Sequence, residues 1–404
     1  LLFSQHSFAQ SGYETITLEN AINYALKNNG NIKAINLEIE KLNTLKKSSF
    51  NIKKTDLGIQ YGKMNGFNND LSFSIEQKFK FPTVYTKQKS LNESYIENGE
   101  KQKIITENDL IKEIKSTWFQ IIYLNQQSKL LRHQDSLYTQ FLKASQLKYE
   151  TGEGTFLEQV TAETKLINIR VLEVENQSNL NIHTRVLETL INKTEIGIKV
   201  AQDSPTKKEF ALNIDSSAVS NNPNLIYLQN QINIAEHITN VTKAKTLPDF
   251  TIGYVNQSMI GSHTVNGSTD YYDANQRFQA VKATLSIPIF VRSNRANISA
   301  YKIDQQIAAT KAEYYQTFLL SEFERVIQDY IKYKTMIDYY EKSALNQANL
   351  IIENTDKSYI NGNINYLEYV QSISIGIEIK QDYNTILNAY NQSIIAIEYL
   401  VGKR

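Results

Sequence analysis

Two glutamates, Glu158 and Glu368, stand in a repeated setting that gives a carboxylate a defined task. Each lies three residues after a short polar side chain, Thr155 or Asn365. That is capping-box spacing: the short side chain accepts from the glutamate N–H, and the glutamate reaches back to the N–H of the cap. Around them Tyr149, Gly152, Leu157 and Val160 recur as Tyr359, Gly362, Leu367 and Val370, at the 210-residue spacing that relates Glu158 to Glu368. A glycine that ends one helix, followed by a box that opens the next, reads as the tip of an antiparallel helical hairpin.

No other constellation is built for chemistry. His6, His133, His183, His237 and His263 are scattered, and Met64, Met259 and Met336 do not cluster as soft metal ligands would. Cysteine is absent, which excludes disulfides, thiolate nucleophiles and zinc–thiolate sites. No glycine-rich phosphate loop follows a strand. The sequence therefore shows no catalytic or metal site, asks for no cofactor and does not read as an enzyme. Lys and Arg number 43 against 42 Asp and Glu, a net charge of +1, so nothing points to nucleic acid.

The elements that must hold the tips are long. Only five prolines and fifteen glycines interrupt 404 residues. Leu18 to about Phe50 is helical in period, with a break at Asn28-Asn29-Gly30-Asn31. A β-hairpin is expected over 55–82, where Leu71, Phe73, Ile75, Phe79 and Phe81 alternate with Ser72, Ser74, Glu76, Lys78 and Lys80. Helical spacing then continues over 84–149, a helix ~100 Å long that must lie along partner helices. A return helix follows over 156–192. After a polar linker, 197–220, the plan repeats over 221–404: a helix, a hairpin over 249–290, a long helix over 293–359 and a return helix over 365–401. In the second hairpin Val281, Ala283, Leu285 and Ile287 alternate with Lys282, Thr284 and Ser286, and Ser258 to Gln276 reads as its loop. The first repeat spans 10–196. Residues 1–9, ending Ser7-Phe8-Ala9, read as the remnant of a secretory signal. No apolar run is long enough for a membrane-crossing helix. Two amphipathic hairpins cannot cross a bilayer alone, because their outer edges would leave amides unpaired in hydrocarbon.

The duplicated plan, the Tyr-x-x-Gly tip before a Leu-Glu pair, and the opening Ile16-Thr17-Leu18-Glu19-Asn20-Ala21 resemble the TolC family of outer-membrane efflux proteins. The resemblance runs from about Thr15 to Gly402, and the short linker is similar to the heavy-metal (CzcC- and CusC-like) branch. It implies a mainly α fold with β: long helical hairpins forming a trimeric α-barrel, and four strands per protomer of a twelve-stranded transmembrane barrel. The apolar strand residues named above would face lipid. The tips would converge at a periplasmic aperture made by Glu158, Glu368, Tyr149, Tyr359, Gly152 and Gly362, its ring of carboxylates favouring cations. A periplasmic adaptor would dock at Glu150, Glu153, Lys357 and Asn361, joining the duct to an inner-membrane pump, of RND type on this resemblance. Thr161 and Gln371 replace a second acidic residue of the drug-efflux pattern, and Gly154 and Ile364 replace its basic residue. The expected function is passive exit of cations, heavy metals or small toxic compounds across a Gram-negative outer membrane. Drug export or type I secretion through the same fold, a soluble periplasmic coiled-coil scaffold, and the tail of a fused pump are the alternatives.

Overall fold

The computed structural model describes residues 14–194, 197–201, 206–210 and 215–403. The expected signal remnant at 1–9, residues 195–196 at the end of the first repeat, and Pro205 of the linker lie outside them. In chain order, β1 (Glu14–Ile16) leads to α1 (Leu18–Asn28) and α2 (Gly30–Lys46), then the hairpin β2 (Asp56–Gly62) and β3 (Asp70–Phe79). Next come α3 (Pro82–Glu150), α4 (Phe156–Leu190) and the short β4 (Ile198–Val200). The second round is α5 (Pro223–Ala244), β5 (Asp249–Ser258), β6 (Gly261–Val265), β7 (Ser268–Tyr272) and β8 (Arg277–Ser286). It closes with α6 (Arg292–Tyr339), α7 (Leu345–Ile360) and α8 (Tyr366–Leu400). A π-helical turn, Tyr340–Ala344, joins α6 to α7.

The chain divides into two compact units that each draw on both repeats: one takes residues up to 35, 103–223 and 315–404, the other 36–102 and 224–314. In the first unit, Ile114, Trp118, Ile121 and Ile122 of α3 pack with Leu187, Ile191 and Ile395. Ala21 and Ala25 of α1 and Ile198 and Val200 of β4 join the same core. β4 pairs in parallel with β1, so part of the segment expected to be a plain linker is a strand. A second core of this unit gathers Leu137 and Phe141 of α3, Leu166 and Ile169 of α4, and Val370, Ile373 and Ile377 of α8.

The duplication reaches the level of single hydrogen bonds. The Asn29 side chain donates to the Leu190 carbonyl at the end of α4, and the Asn222 side chain donates to the Leu400 carbonyl at the end of α8, at 3.0 and 2.9 Å. Each thereby serves a carbonyl that its own helix leaves without a partner. Asn192 (φ 55) and Gly402 (φ 68) make the same left-handed turn after these helices. Lys193 N–H returns to Glu188 O and Lys403 N–H to Glu398 O, both at 2.8 Å.

The second unit holds one four-stranded antiparallel sheet of order β2-β3-β5-β8. Cross-strand partners share a face. The register Ile59↔Phe73, Leu57↔Ile75 and Phe79↔Phe250 continues through Phe250↔Leu285, Ile252↔Ala283 and Tyr254↔Val281. These residues make one apolar face across all four strands. The other face carries the ion pairs Lys78–Asp56 at 2.9 Å and Lys282–Glu76 at 3.0 Å. The segment expected as a loop contains β6 and β7, a polar hairpin closed by Asn266-Gly267, both at positive φ. At this end the buried Asp70 carboxylate accepts from the backbone of Ile260 at 2.7 Å, from Ser258 Oγ at 3.1 Å and from the backbone of Asn65 at 3.1 Å, tying the two hairpins together.

Candidate functional site

The two tips are built alike. At the first, Gly152 adopts φ +74, Gly152 N–H donates to Tyr149 O at 3.1 Å and Glu153 N–H to Lys148 O at 2.8 Å. At the second, Gly362 has φ +70, with Gly362 N–H to Tyr359 O at 3.0 Å and Asn363 N–H to Ser358 O at 2.8 Å. A β-carbon is strained at such φ values, which is why glycine stands there. Both capping boxes form. Glu158 N–H donates to Thr155 Oγ1 at 3.2 Å, and Glu158 Oε2 faces the Thr155 N–H at 3.5 Å. In the second box both bonds are 2.9 Å, between Glu368 and Asn365. Each carboxylate is thus held at a helix N-terminus, where the backbone dipole favours negative charge. Among the described residues, neither glutamate forms an ion pair.

Glu158 is half-buried and Glu368 exposed, as are Glu150, Glu153, Lys357 and Asn361 around the turns. Lys357 pairs with Glu353 one helical turn back, at 2.7 Å.

The tips differ in their aromatic packing, which the sequence reading missed. The Tyr149 ring meets the exposed ring of Phe156, with centroids 5.7 Å apart. Tyr359 belongs to a cluster with Tyr366 and Tyr369, at 5.4 and 4.6 Å, and Tyr366 packs on Phe141 of α3 at 5.2 Å. Burial, with Asp356 beside it, pushes the Tyr369 hydroxyl up to about 12. Burial likewise raises Tyr366, whose hydroxyl donates to the Leu137 carbonyl at 3.4 Å. The signal available was Tyr366 and Tyr369 at i,i+3 on one helix face; their meeting with α3 is not written locally.

Much of the apolar face of the sheet is exposed. Leu57 is 78% exposed, Ile59 71% and Val281 79%; Phe73, Ile75, Leu285 and Ile287 are exposed as well. Leu71, Phe79 and Phe81 are half-buried, and Ala283 is exposed. The Phe81 ring lies 5.7 Å from that of Phe250. β2 and β8 are the terminal strands, each paired on one side only. Among the described residues, no group of three or more acidic, histidine or cysteine side chains converges to hold a metal. Among the described residues, no helix is long and apolar enough to cross a membrane.

By sequence, no family model and no curated protein matches the chain. By structure, it is similar to the outer-membrane channel OprN, with TM-score 0.78 and 13% identity over 96% of this chain and 90% of that one. It is similar also to CusC, described for its folding and transmembrane channel formation, with TM-score 0.76 and 15% identity over 98% and 96% of the two chains. The Campylobacter jejuni CmeC outer membrane channel follows, with TM-score 0.74 and 14% identity over 96% and 85%. Together with the duplicated hairpins and the four-stranded sheet, these likenesses give the chain the TolC-like outer-membrane channel fold.

Proposed function

We propose that this chain is the outer-membrane exit duct of a tripartite efflux system, working as a homotrimer with its long helices in the periplasm. The observation that carries the reading is the open sheet, with one exposed and largely apolar face and no strand paired along either outer edge. In water such a face forfeits ~25 cal/mol for each Å² left exposed, and in lipid the open edges leave amides without partners. Three copies joined edge to edge, β8 of one beside β2 of the next, satisfy both demands at once. The ion-paired polar face then lines the lumen.

The tips form the periplasmic aperture, where Glu158 and Glu368 serve both as caps and as a cation-attracting ring. An adaptor docks around Glu150, Glu153, Lys357 and Asn361 and links the duct to an inner-membrane pump of RND type. The duct itself supplies no chemical step. Cations, heavy metals among them, are the cargo this ring favours over uncharged drugs. The test is planar-bilayer conductance of the Glu158→Gln, Glu368→Gln double variant, which loses cation preference on this reading. Unchanged selectivity leaves both glutamates as helix caps alone.

A further inference from the structure

The duplication lets one cleft of the first unit be read from its counterpart. At the second repeat, the linker segment 206–210 lies along α8. The Asn391 side chain accepts from the Lys208 N–H and donates to the Thr206 carbonyl, each at 3.0 Å, so one amide grips the backbone of a passing segment twice. Tyr390 donates its hydroxyl to the Lys208 carbonyl at 3.3 Å. The Phe210 ring packs on Tyr330, with centroids 5.4 Å apart. Lys207 reaches Glu341 at 2.9 Å, and Lys208 reaches the buried Glu398 at 2.5 Å.

The repeat spacing carries Tyr390, Asn391 and Glu398 onto Leu180, Asn181 and Glu188. These three line an open groove of about 600 Å³ that also takes in Arg185, Lys199 and Val200. Asn181 Oδ1 accepts only from its helix neighbour Gln177, at 2.9 Å, among the described residues. One wall is β4. The Glu14 N–H donates to the Gly197 carbonyl and the Ala201 N–H to the Ile16 carbonyl. Alternation in a parallel ladder therefore turns the backbone groups of Ile198 and Val200 to the edge away from β1. The Ile198 N–H on that edge donates to Glu188 Oε1 at 3.3 Å.

The charges of the two clefts are inverted. Asp338 and Glu341, which receive Lys207, map onto Ser128 and Leu131. The groove presents Arg185 and Lys199 instead, and its one acid, Glu188, is already held by Arg185 at 2.9 Å. A lysine-bearing segment suits the filled cleft, and an acidic one suits the open groove.

We propose that this groove docks an extended acidic segment of a partner polypeptide, gripped through its backbone by Asn181, laid beside β4, and neutralised by Lys199, the positive charge left over once Arg185 is paired with Glu188. The site goes beyond the exit-duct reading and does not depend on it. Fluorescence anisotropy on the full chain in detergent tests it with two labelled probes. One is Gly-Thr-Glu-Glu-Glu-Phe-Gly; the other, Gly-Thr-Lys-Lys-Glu-Phe-Gly, copies 206–210. The acidic probe binds saturably and ~10-fold more tightly than the lysine probe, a gap that added salt narrows. Asn181→Ala weakens it by ~10-fold with the helical circular dichroism unchanged. Lys199→Glu, at an exposed position, reverses the order of the two probes. Absence of saturable binding, equal affinity for both probes, or indifference to Asn181→Ala overturns the proposal. So does a Lys199→Cys cross-link to a second copy of the chain, which makes the groove an interface between copies.

Discussion

Replacing Glu398 by Gln tests how the buried end of the second return helix is held. The Glu398 side chain is 11% exposed and faces two lysines, Lys115 at 3.0 Å (14% exposed) and Lys208 at 2.5 Å (22% exposed). Burial pushes the carboxyl up, but its bonds to Lys208 and Lys115 outweigh that and hold it below its ordinary value. The glutamine strands two ammoniums that one carboxylate serves, and breaking a buried pair in this way costs ~3–5 kcal/mol. The amide keeps one hydrogen-bonding oxygen and the lysines keep some water, so ~3 kcal/mol is expected. The assay is guanidinium unfolding in detergent, followed by helical circular dichroism at pH 7 and then down a pH series. A carboxyl whose folded value is depressed contributes its stability above the unfolded value of 4.5 and loses it as pH falls through the folded value. The gap between wild type and Glu398→Gln therefore closes on acidification below that value. A gap under ~0.5 kcal/mol at pH 7, or one that persists in acid, refutes the reasoning.

Asn222→Ala removes a fully buried side chain from the Leu400 carbonyl and should cost ~1–3 kcal/mol in the same unfolding assay, more than Asn29→Ala at the half-buried equivalent. Gly362→Ala meets no neighbouring atom but must hold φ +70. The strain of ~1 kcal/mol should raise thermolysin cleavage at the second tip by ~5-fold, with cleavage at the first tip unchanged. Val281→Lys puts a charge in the middle of the apolar face and should lower the stability of chain inserted in lipid vesicles by ~2–4 kcal/mol, while Lys282→Ser on the opposite face has little effect.

What the sequence revealed was whatever is local and periodic. Thr155 with Glu158, and Asn365 with Glu368, were legible because a capping box is written within four residues. The Asn29–Gly30 break and the strand alternation around Phe73 and Val281 were legible for the same reason. Pro82 opens α3 rather than closing β3, as its missing N–H and fixed φ allow at a helix's first position. The β6–β7 hairpin went unread although Asn266-Gly267 signals a two-residue turn, because its strands are polar and five residues long. β4 was hidden for another reason: three residues carry no period, and their partner β1 lies some 180 positions earlier. Asn29 was visible within the Asn28–Asn31 break, but not its bond to Leu190, nor the matching bond of Asn222 to Leu400. Those depend on how the helices pack.

The most direct test of the account is the state of the terminal strands in lipid. The chain would be reconstituted in vesicles, its amide exchange read along β2 and β8, and the mass of the gently extracted complex measured. The account predicts a complex of about three times 46.3 kDa whose outer-edge amides in both strands are protected. A single chain in the same vesicles, with β2 and β8 exchanging freely along their outer edges, would contradict it.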